Sequence, residues 1–237
     1  MEAVFKREVS AYFKSVVAYS IIAFFGVFTG LYFWNVNVSS GNVMFGTTLA
    51  ALTSFFAFFI PVITMKLFSD DKKNGTEVLL KTSPVHTWQV VLGKYFAAVM
   101  VFLVMTLETI VCPIIIFVLM EDKSGFPFAQ TLGSYVGFIL LGLAYLAIGL
   151  FASSLTESQP VAAVIGIIII VAVSFLETVG NKIGGLLGKI LVWLSLPSRT
   201  ANFEAGILDL PSILFLLIVT AVMLFVTTMV IERRRWN

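Results

Sequence analysis

Hydrophobic residues occur in long runs along this chain, and short polar segments separate the runs. A helical run of about 20 apolar residues can cross the hydrocarbon layer of a bilayer, which is roughly 30 Å thick. Six runs approach or exceed that length: residues 16–34, 44–67, 93–119, 133–151, 161–176 and 212–231. Because a helix satisfies its own backbone hydrogen bonds within lipid, the pattern predicts an all-α, polytopic membrane protein with six transmembrane helices.

The segment before the first run has a different pattern. On a helical wheel, residues 2–15 place apolar side chains on one half and mainly basic ones on the other, and Glu8 alone falls on the wrong half. A basic amphipathic helix of this kind is typical of a segment that lies flat on an anionic cytoplasmic membrane surface. The alternative is a solvated beginning of the first spanning helix.

A shorter apolar stretch, residues 183–196, lies between the fifth and sixth runs. It is rich in glycine and has Lys189 near its middle, so it is too short and too polar for a crossing. We predict a re-entrant or interfacial helix there, within an extracellular connection formed by residues 177–209. The whole chain, residues 1–237, then forms a single transmembrane domain.

Lysine and arginine residues are distributed unevenly over the connecting segments. With a cytoplasmic N-terminus, six crossings place eleven of them on the cytoplasmic side and four outside. Cytoplasmic connections carry an excess of these residues, so the bias predicts a plasma-membrane protein with both termini in the cytoplasm.

Composition limits the chemistry available to the chain. Hydrophobic residues make up 59% of it and charged residues 12%, which leaves little material for a soluble domain. The single Cys112 and the single His86 argue against a metal site built from these residues. H-E-x-x-H, G-x-S-x-G and G-x-x-x-x-G-K-[ST] motifs are missing from the sequence, so we expect no catalytic site and no ATPase activity.

The connection between the second and third runs, residues 68–92, is the largest predicted cytoplasmic loop. Asn74 and Gly75 favour a turn, and Thr76 can cap a short helix in which residues 78–80 are apolar. An apolar knob between charged flanks suits docking into a groove on another protein. A short helix that rests on the membrane surface is the alternative, and the residues alone leave it open.

Two patterns within the chain carry a family resemblance. The first comprises Pro61, residues 64–68, Asp70, Asp71, residues 75–77, Leu79, Leu80 and residues 82–84, followed by Gly93 and Lys94. The second comprises Phe203 and residues 206–209, just before the last run. Together with the six runs, they resemble the permeases of ABC-2 type transporters over essentially the whole chain, notably the gliding-motility branch. Residues 69–71 depart from the Ala-Glu-Glu that this family more often has, but they keep the acidic charge.

The resemblance implies a complex of two permeases, identical or related, and two separate ATP-binding cassette ATPases that drive export. The loop after the second span would act as the coupling helix against the ATPase, with residues 153–159 as a smaller second contact. ATP and magnesium would bind to the ATPase, which leaves this chain without a cofactor, and no nucleic-acid partner is expected. The residues carried over to the coupling contact are Phe68, Asp70, Asp71, Gly75, Thr76, Glu77, Leu79 and Leu80.

Polar and small residues inside the runs give further candidates. Glu108 lies near the middle of the third run, where it would either line a translocation path or form a neutral hydrogen bond with a neighbouring helix. Gly26 and Gly30 allow close helix contact and are candidates for the seam between two permeases, or for packing within one. Two rival functions remain: a proton-linked secondary transporter that uses Glu108, and a membrane scaffold that moves no substrate.

Overall fold

The computed structural model describes residues 1–73, 75, 86–121 and 123–233. Helix accounts for 86% of the structure, and the described residues include no strand. The α-helices are α1 Glu2–Lys14, α2 Val16–Phe33, α3 Phe45–Thr53, α4 Phe56–Thr64, α5 Lys66–Lys73, α6 Thr87–Thr109, α7 Val111–Leu119, α8 Phe128–Leu155, α9 Gln159–Ile183, α10 Gly185–Leu194, α11 Ala201–Glu204 and α12 Leu210–Arg233. A π-helical turn, Trp34–Val38, extends α2, and 3-10 turns lie at Lys123–Gly125 and Pro197–Arg199.

Five helical segments among the described residues are long and apolar enough to cross a membrane. They are Val16–Val38, Thr87–Leu119, Lys123–Leu155, Gln159–Ile183 and Leu210–Arg233. A sixth crossing is present if α3 and the continuous α4–α5 segment, which meet at an angle of 58°, count as one span. The predicted all-α class is therefore confirmed, whereas the exact number of six spans stays a prediction.

Several helices extend beyond the apolar runs from which the spans were predicted. α9 covers Gln159–Ile183 where the run covers 161–176, and α8 covers Phe128–Leu155 where the run covers 133–151. Polar residues can continue a helix after it leaves the hydrocarbon, so hydropathy marks the buried length rather than the helix ends. For the same reason the helical parts of α5 and α6 reach into the predicted 68–92 loop, as far as Lys73 and from Thr87.

The helix α8 forms the centre of the bundle. In its most apolar window, 72% of the residues are buried, against 17% for α9 and for α12. Phe102 of α6, Phe138 of α8 and Phe56 of α4 pack together beside it, with ring centroids 4.7 to 5.9 Å apart. Gly142 of α8 has no side chain, so the ring of Phe102 can pack directly against the backbone of α8.

The two ends of the bundle are built differently. At one end, called the α1 end here, α1 packs on α6 while α5 contacts the end of α8 and the helix α9. At the opposite end α10 folds back on α9, where Gly180 and Gly188 bring the two backbones together. The residues predicted as an extracellular connection therefore contain the end of α9, the whole of α10, a 3-10 turn and α11, whose Phe203 packs on Gly137 of α8.

Candidate functional site

The predicted coupling residues Phe68, Asp70 and Asp71 lie on α5 at the α1 end. Gly75 follows α5 with a φ angle of +69°, a left-handed conformation that favours glycine, and its N–H group donates to the carbonyl of Lys72 at 3.2 Å. The remaining candidates, Thr76, Glu77, Leu79 and Leu80, lie outside the described residues. The structure therefore describes the beginning of the loop, α5 and Gly75, which we call the root of the loop.

A buried lysine holds this root to two other helices. The side chain of Lys94, on the second turn of α6, is 1% exposed, and its Nζ atom lies 2.6 Å from Asp71 Oδ2 and 2.9 Å from Glu8 Oε1. The same ammonium group donates to the carbonyl of Leu67 and lies 5.2 Å from the ring centre of Phe68. One cation therefore joins α6 to α1 and to α5, and its buried charge is matched by two carboxylates.

The packing of α1 on α6 makes these ion pairs possible. A side-chain carbon at Gly93 would lie 3.2 Å from Cβ of Val4, so glycine permits the close approach of α1 beside Lys94. Further along α1, the hydroxyl of Tyr12 donates to the carbonyl of Ile63 at 2.6 Å. Burial raises the pKa of Tyr12 well above its usual value, with the charges of Glu8 and Asp70 adding to the effect, so the hydroxyl stays protonated and remains a donor.

On its other side, α5 is held by the end of α8. Ser153 Oγ accepts hydrogen bonds from the N–H groups of Phe68 at 3.0 Å and Ser69 at 3.3 Å, and it donates to the carbonyl of Met65 at 3.0 Å. The first N–H groups of a helix have no acceptor within that helix, so Ser153 acts as a cap supplied by a distant residue. Ser69 and Ser153 are both fully buried.

Two further polar contacts join α5 to the start of α9 and to the end of α8. The side-chain amide of Gln159 donates to Asp70, and the ammonium group of Lys72 donates to the carbonyl of Ser154. Residues 153–159, predicted as a second contact with the ATPase, are thus joined directly to the root of the coupling loop. We call the set Glu8, Ser69, Asp71, Lys94 and Ser153 the α5 clamp.

The contacts of the α5 clamp are suited to a mechanical role. No group of three or more His, Cys, Asp or Glu residues that could hold a metal occurs in the described part of the chain. A cavity of about 280 Å³ adjoins the clamp between α1 and α5, but the carboxylates and cations around it are largely engaged with one another. What the arrangement can do is transmit a displacement of α5 to α1, α6 and α8.

Replacing Ser153 with alanine is expected to loosen α5 without unfolding the bundle. The amides of Phe68 and Ser69 would lose their shared acceptor inside the protein, at a cost of about 1–2 kcal/mol. Hydrogen exchange of these two amides should therefore accelerate about tenfold in the purified protein.

The adjacent Ser154 provides a matched control because it is equally buried and its hydroxyl donates only to Phe151, within its own helix. Ser154→Ala leaves the backbone carbonyl that Lys72 contacts in place. Equal acceleration in the two variants would contradict the capping role of Ser153.

The positions of two charges in the sequence are a further signal for this clamp. Glu8 falls on the apolar half of α1, and Lys94 falls at the edge of an apolar run. A charge on the apolar face of a helix is buried when the helix packs, and a buried charge is stable only beside an opposite charge. Glu8 and Lys94 are therefore expected to meet in the fold. The roles of Ser69, Ser153 and Tyr12 carried no comparable signal, because buried hydroxyl groups are common in apolar helices and their partners are distant in sequence.

Glu108 and Gly26 are brought together within one chain. A side-chain carbon at Gly26 would lie 3.3 Å from Oε2 of Glu108, and Oε1 is buried without a hydrogen-bond partner among the described residues. Gly30 is exposed and has open space around it. Gly26 thus accommodates the carboxyl group of its own subunit, while a seam between two permeases at Gly26 and Gly30 stays a prediction.

Comparison with known proteins agrees with this architecture. A comparison with curated proteins found no match. The family model described as ABC-2 family transporter protein matches residues 38–232, which include the α5 root, Lys94, Ser153 and every span after the first. This match covers most of the chain, and it includes four of the five helical segments that are long and apolar enough to cross a membrane among the described residues. The chain is therefore a multi-pass membrane protein that belongs to the ABC-2 family of transporter proteins.

Proposed function

We propose that this chain is the permease subunit of an exporter in the plasma membrane, driven by a separate ATP-binding cassette ATPase. ATP and magnesium bind to that partner, and a second permease, identical or related, completes the translocation path. In this proposal the α1 end faces the cytoplasm, which agrees with the excess of lysine and arginine in the segments that connect the helices there.

The observation that carries the proposal is the attachment of α5 on three sides. The loop root is bound to α1 and α6 through Lys94, and to α8 through Ser153. A flexible loop would absorb a displacement made by a partner, whereas a root held by buried polar contacts passes it on to the spans. These contacts are made where the loop predicted to meet the ATPase begins.

A mechanism follows from this attachment. Closure of two ATPases around ATP would displace the coupling loops, and α5 would carry that displacement into α6 and α8. The permease can respond only if its inward-open and outward-open states make different contacts with the ATPase. A partner that binds both states with equal affinity leaves the equilibrium between them unchanged. The bend between α3 and α4 lies in the span that continues into α5 and offers a place where that span can change shape.

Co-purification of a cassette ATPase with the tagged permease tests the docking site. The combined change Gly75→Ala, Thr76→Ala and Glu77→Ala is expected to reduce the ATPase activity recovered with the permease about tenfold or more, because it removes the turn conformation and one charge at the proposed contact. A matched control is the triple change Ser39→Ala, Ser40→Ala and Gly41→Ala at the opposite end, where Gly41 also has a positive φ angle of 65°.

Reconstituted vesicles separate this function from its rivals. Substrate movement should require both the ATPase and ATP, and it should persist when the proton gradient is collapsed. Movement that needs no ATPase, stops with the gradient and is lost in Glu108→Gln would instead assign the chain to proton-linked transport. ATPase stimulation without substrate movement would indicate a scaffold.

A further inference from the structure

A cavity with two basic residues lies at the opposite end of the bundle from the α5 clamp. It has a volume of about 570 Å³ and is formed by the hairpin of α9 and α10 together with the following 3-10 turn. Lys189 and Arg199 both line it, and none of its described lining residues carries a carboxylate. The net charge of its described lining is therefore positive, and the lining also includes four glycines, Gly180, Gly184, Gly185 and Gly188.

The guanidinium group of Arg199 is held in a fixed position. Its carbon lies 5.3 Å from the ring centre of Trp193 and 4.8 Å from that of Phe215, and one terminal nitrogen donates to the carbonyl of Trp193 at 2.9 Å. The Nε atom is buried without a hydrogen-bond partner among the described residues. Arg199 is thus oriented by two aromatic rings and retains donor capacity, while Lys189 adds a second, exposed cation.

The surroundings of the cavity indicate that its ligand comes from the membrane. On α10, Leu186 is 81% exposed and Leu187 69%, and such side chains lie among lipid in a membrane protein. Trp193 contacts Phe215, which lies about 8 Å along α12 from its first residue. Tryptophan is enriched at the interface between hydrocarbon and water, where lipid headgroups lie. Lys189 comes from the same short helix and can extend to that level.

We propose that this cavity binds the phosphate group of an anionic phospholipid, with Lys189 and Arg199 as the cationic contacts and the exposed face of α10 against the acyl chains. The first N–H groups of α10, which have no acceptor within that helix, border the same cavity at Gly185 and add donors suited to phosphate oxygens. Two cations, unpaired donors and an adjoining apolar surface match an amphiphile with a negative head. This site is independent of the ATPase and requires only that the chain lies in a bilayer.

Fluorescence of Trp193 tests the proposal on the full chain in vesicles. The other tryptophans are replaced in one background, Trp34→Phe, Trp88→Phe and Trp236→Phe, so that Trp193 alone reports. In phosphatidylcholine vesicles, brominated phosphatidylglycerol should accumulate at Trp193 about 25-fold more than brominated phosphatidylcholine at equal mole fraction, because each of the two basic residues contributes about fivefold near an anionic surface. Lys189→Gln and Arg199→Gln should each remove most of that preference.

Lys182→Gln is the matched control, because Lys182 is exposed at the same end and does not line the cavity. Equal quenching by the two lipids in the unaltered cavity, or equal loss of preference in all three variants, would overturn the assignment. Removal of the preference by submillimolar inorganic phosphate would also overturn it, since the cavity would then hold soluble phosphate. If Arg199→Gln does not fold, the exposed Lys189→Gln still decides the outcome.

Discussion

Lys94→Met is expected to destabilise the purified protein by about 3–5 kcal/mol, the cost of removing one partner from a buried ion pair. Glu8 and Asp71 are largely buried, with side chains 12% and 14% exposed, and both pair with the same ammonium group. Without it, the two carboxylates would lose the cation that they share, although Nη2 of Arg7 lies 2.5 Å from Glu8 and 3.4 Å from Asp71. The midpoint of thermal unfolding in detergent should fall, and ATPase stimulation by the permease should be lost.

A combined variant separates lost charge balance from lost packing. Adding Glu8→Gln and Asp71→Asn to Lys94→Met removes the uncompensated charges, so much of the lost stability should return, because a neutral cluster avoids the cost of burying ions. Coupling to the ATPase should stay impaired in the combined variant, since the polar link between α1, α5 and α6 is gone. Lys73→Met, at an exposed lysine on α5 close to Asp71 in sequence, is the control, and an equal loss there would contradict the role of Lys94.

Gly142→Ala is expected to cost about 3 kcal/mol or more, although it adds a single methyl group. The new carbon would lie 2.6 Å from Cε1 and 2.8 Å from Cε2 of Phe102, and closer still to Cζ. Phe102 is 1% exposed and packs against Phe56 and Phe138, so its ring has no free space into which to move. The loss should be measured as a lower midpoint of unfolding in detergent.

A second glycine in a helix gives the matched control. Gly30 of α2 has no atom within 4 Å of the position that a side-chain carbon would occupy, so Gly30→Ala should be neutral or stabilising by up to about 1 kcal/mol. A smaller side chain at Phe102 tests whether the clash with its ring causes the loss. Phe102→Leu combined with Gly142→Ala should recover part of the stability that Gly142→Ala alone removes. A Gly142→Ala protein as stable as Gly30→Ala would contradict the close contact between α6 and α8.

The local part of the candidate site could be predicted from the sequence, but its partners could not. The acidic pair Asp70 and Asp71, and the glycine turn at Gly75, form a contiguous motif, so a pattern along the chain suffices to find them. Ser153 and Lys94 are separated from α5 by many residues, and their roles depend on which faces of α8 and α6 turn toward it. The misplaced charge of Glu8 indicated that some partner exists without indicating which one.

The bend between α3 and α4 illustrates the same limit within a single element. Residues 44–67 form a largely apolar run, so hydropathy predicts a single crossing. In the structure the helix is interrupted at Ser54 and Phe55. Hydropathy did not predict this bend, because it indicates which environment a segment prefers and carries no information about the direction of the helix axis.

By itself, the sequence determined that this protein is a helical membrane protein of the ABC-2 family, because long apolar runs have no stable place outside lipid and the motif of the predicted coupling loop is contiguous along the chain. Only the tertiary structure decided which charges meet, that Lys94 joins three helices, that Gly142 and Gly26 accommodate Phe102 and Glu108, and that Lys189 and Arg199 share one cavity. The physical reason is that burial of apolar surface is non-directional and can be read from composition, whereas ion pairs, caps and close contacts need particular atoms within a few ångströms of each other.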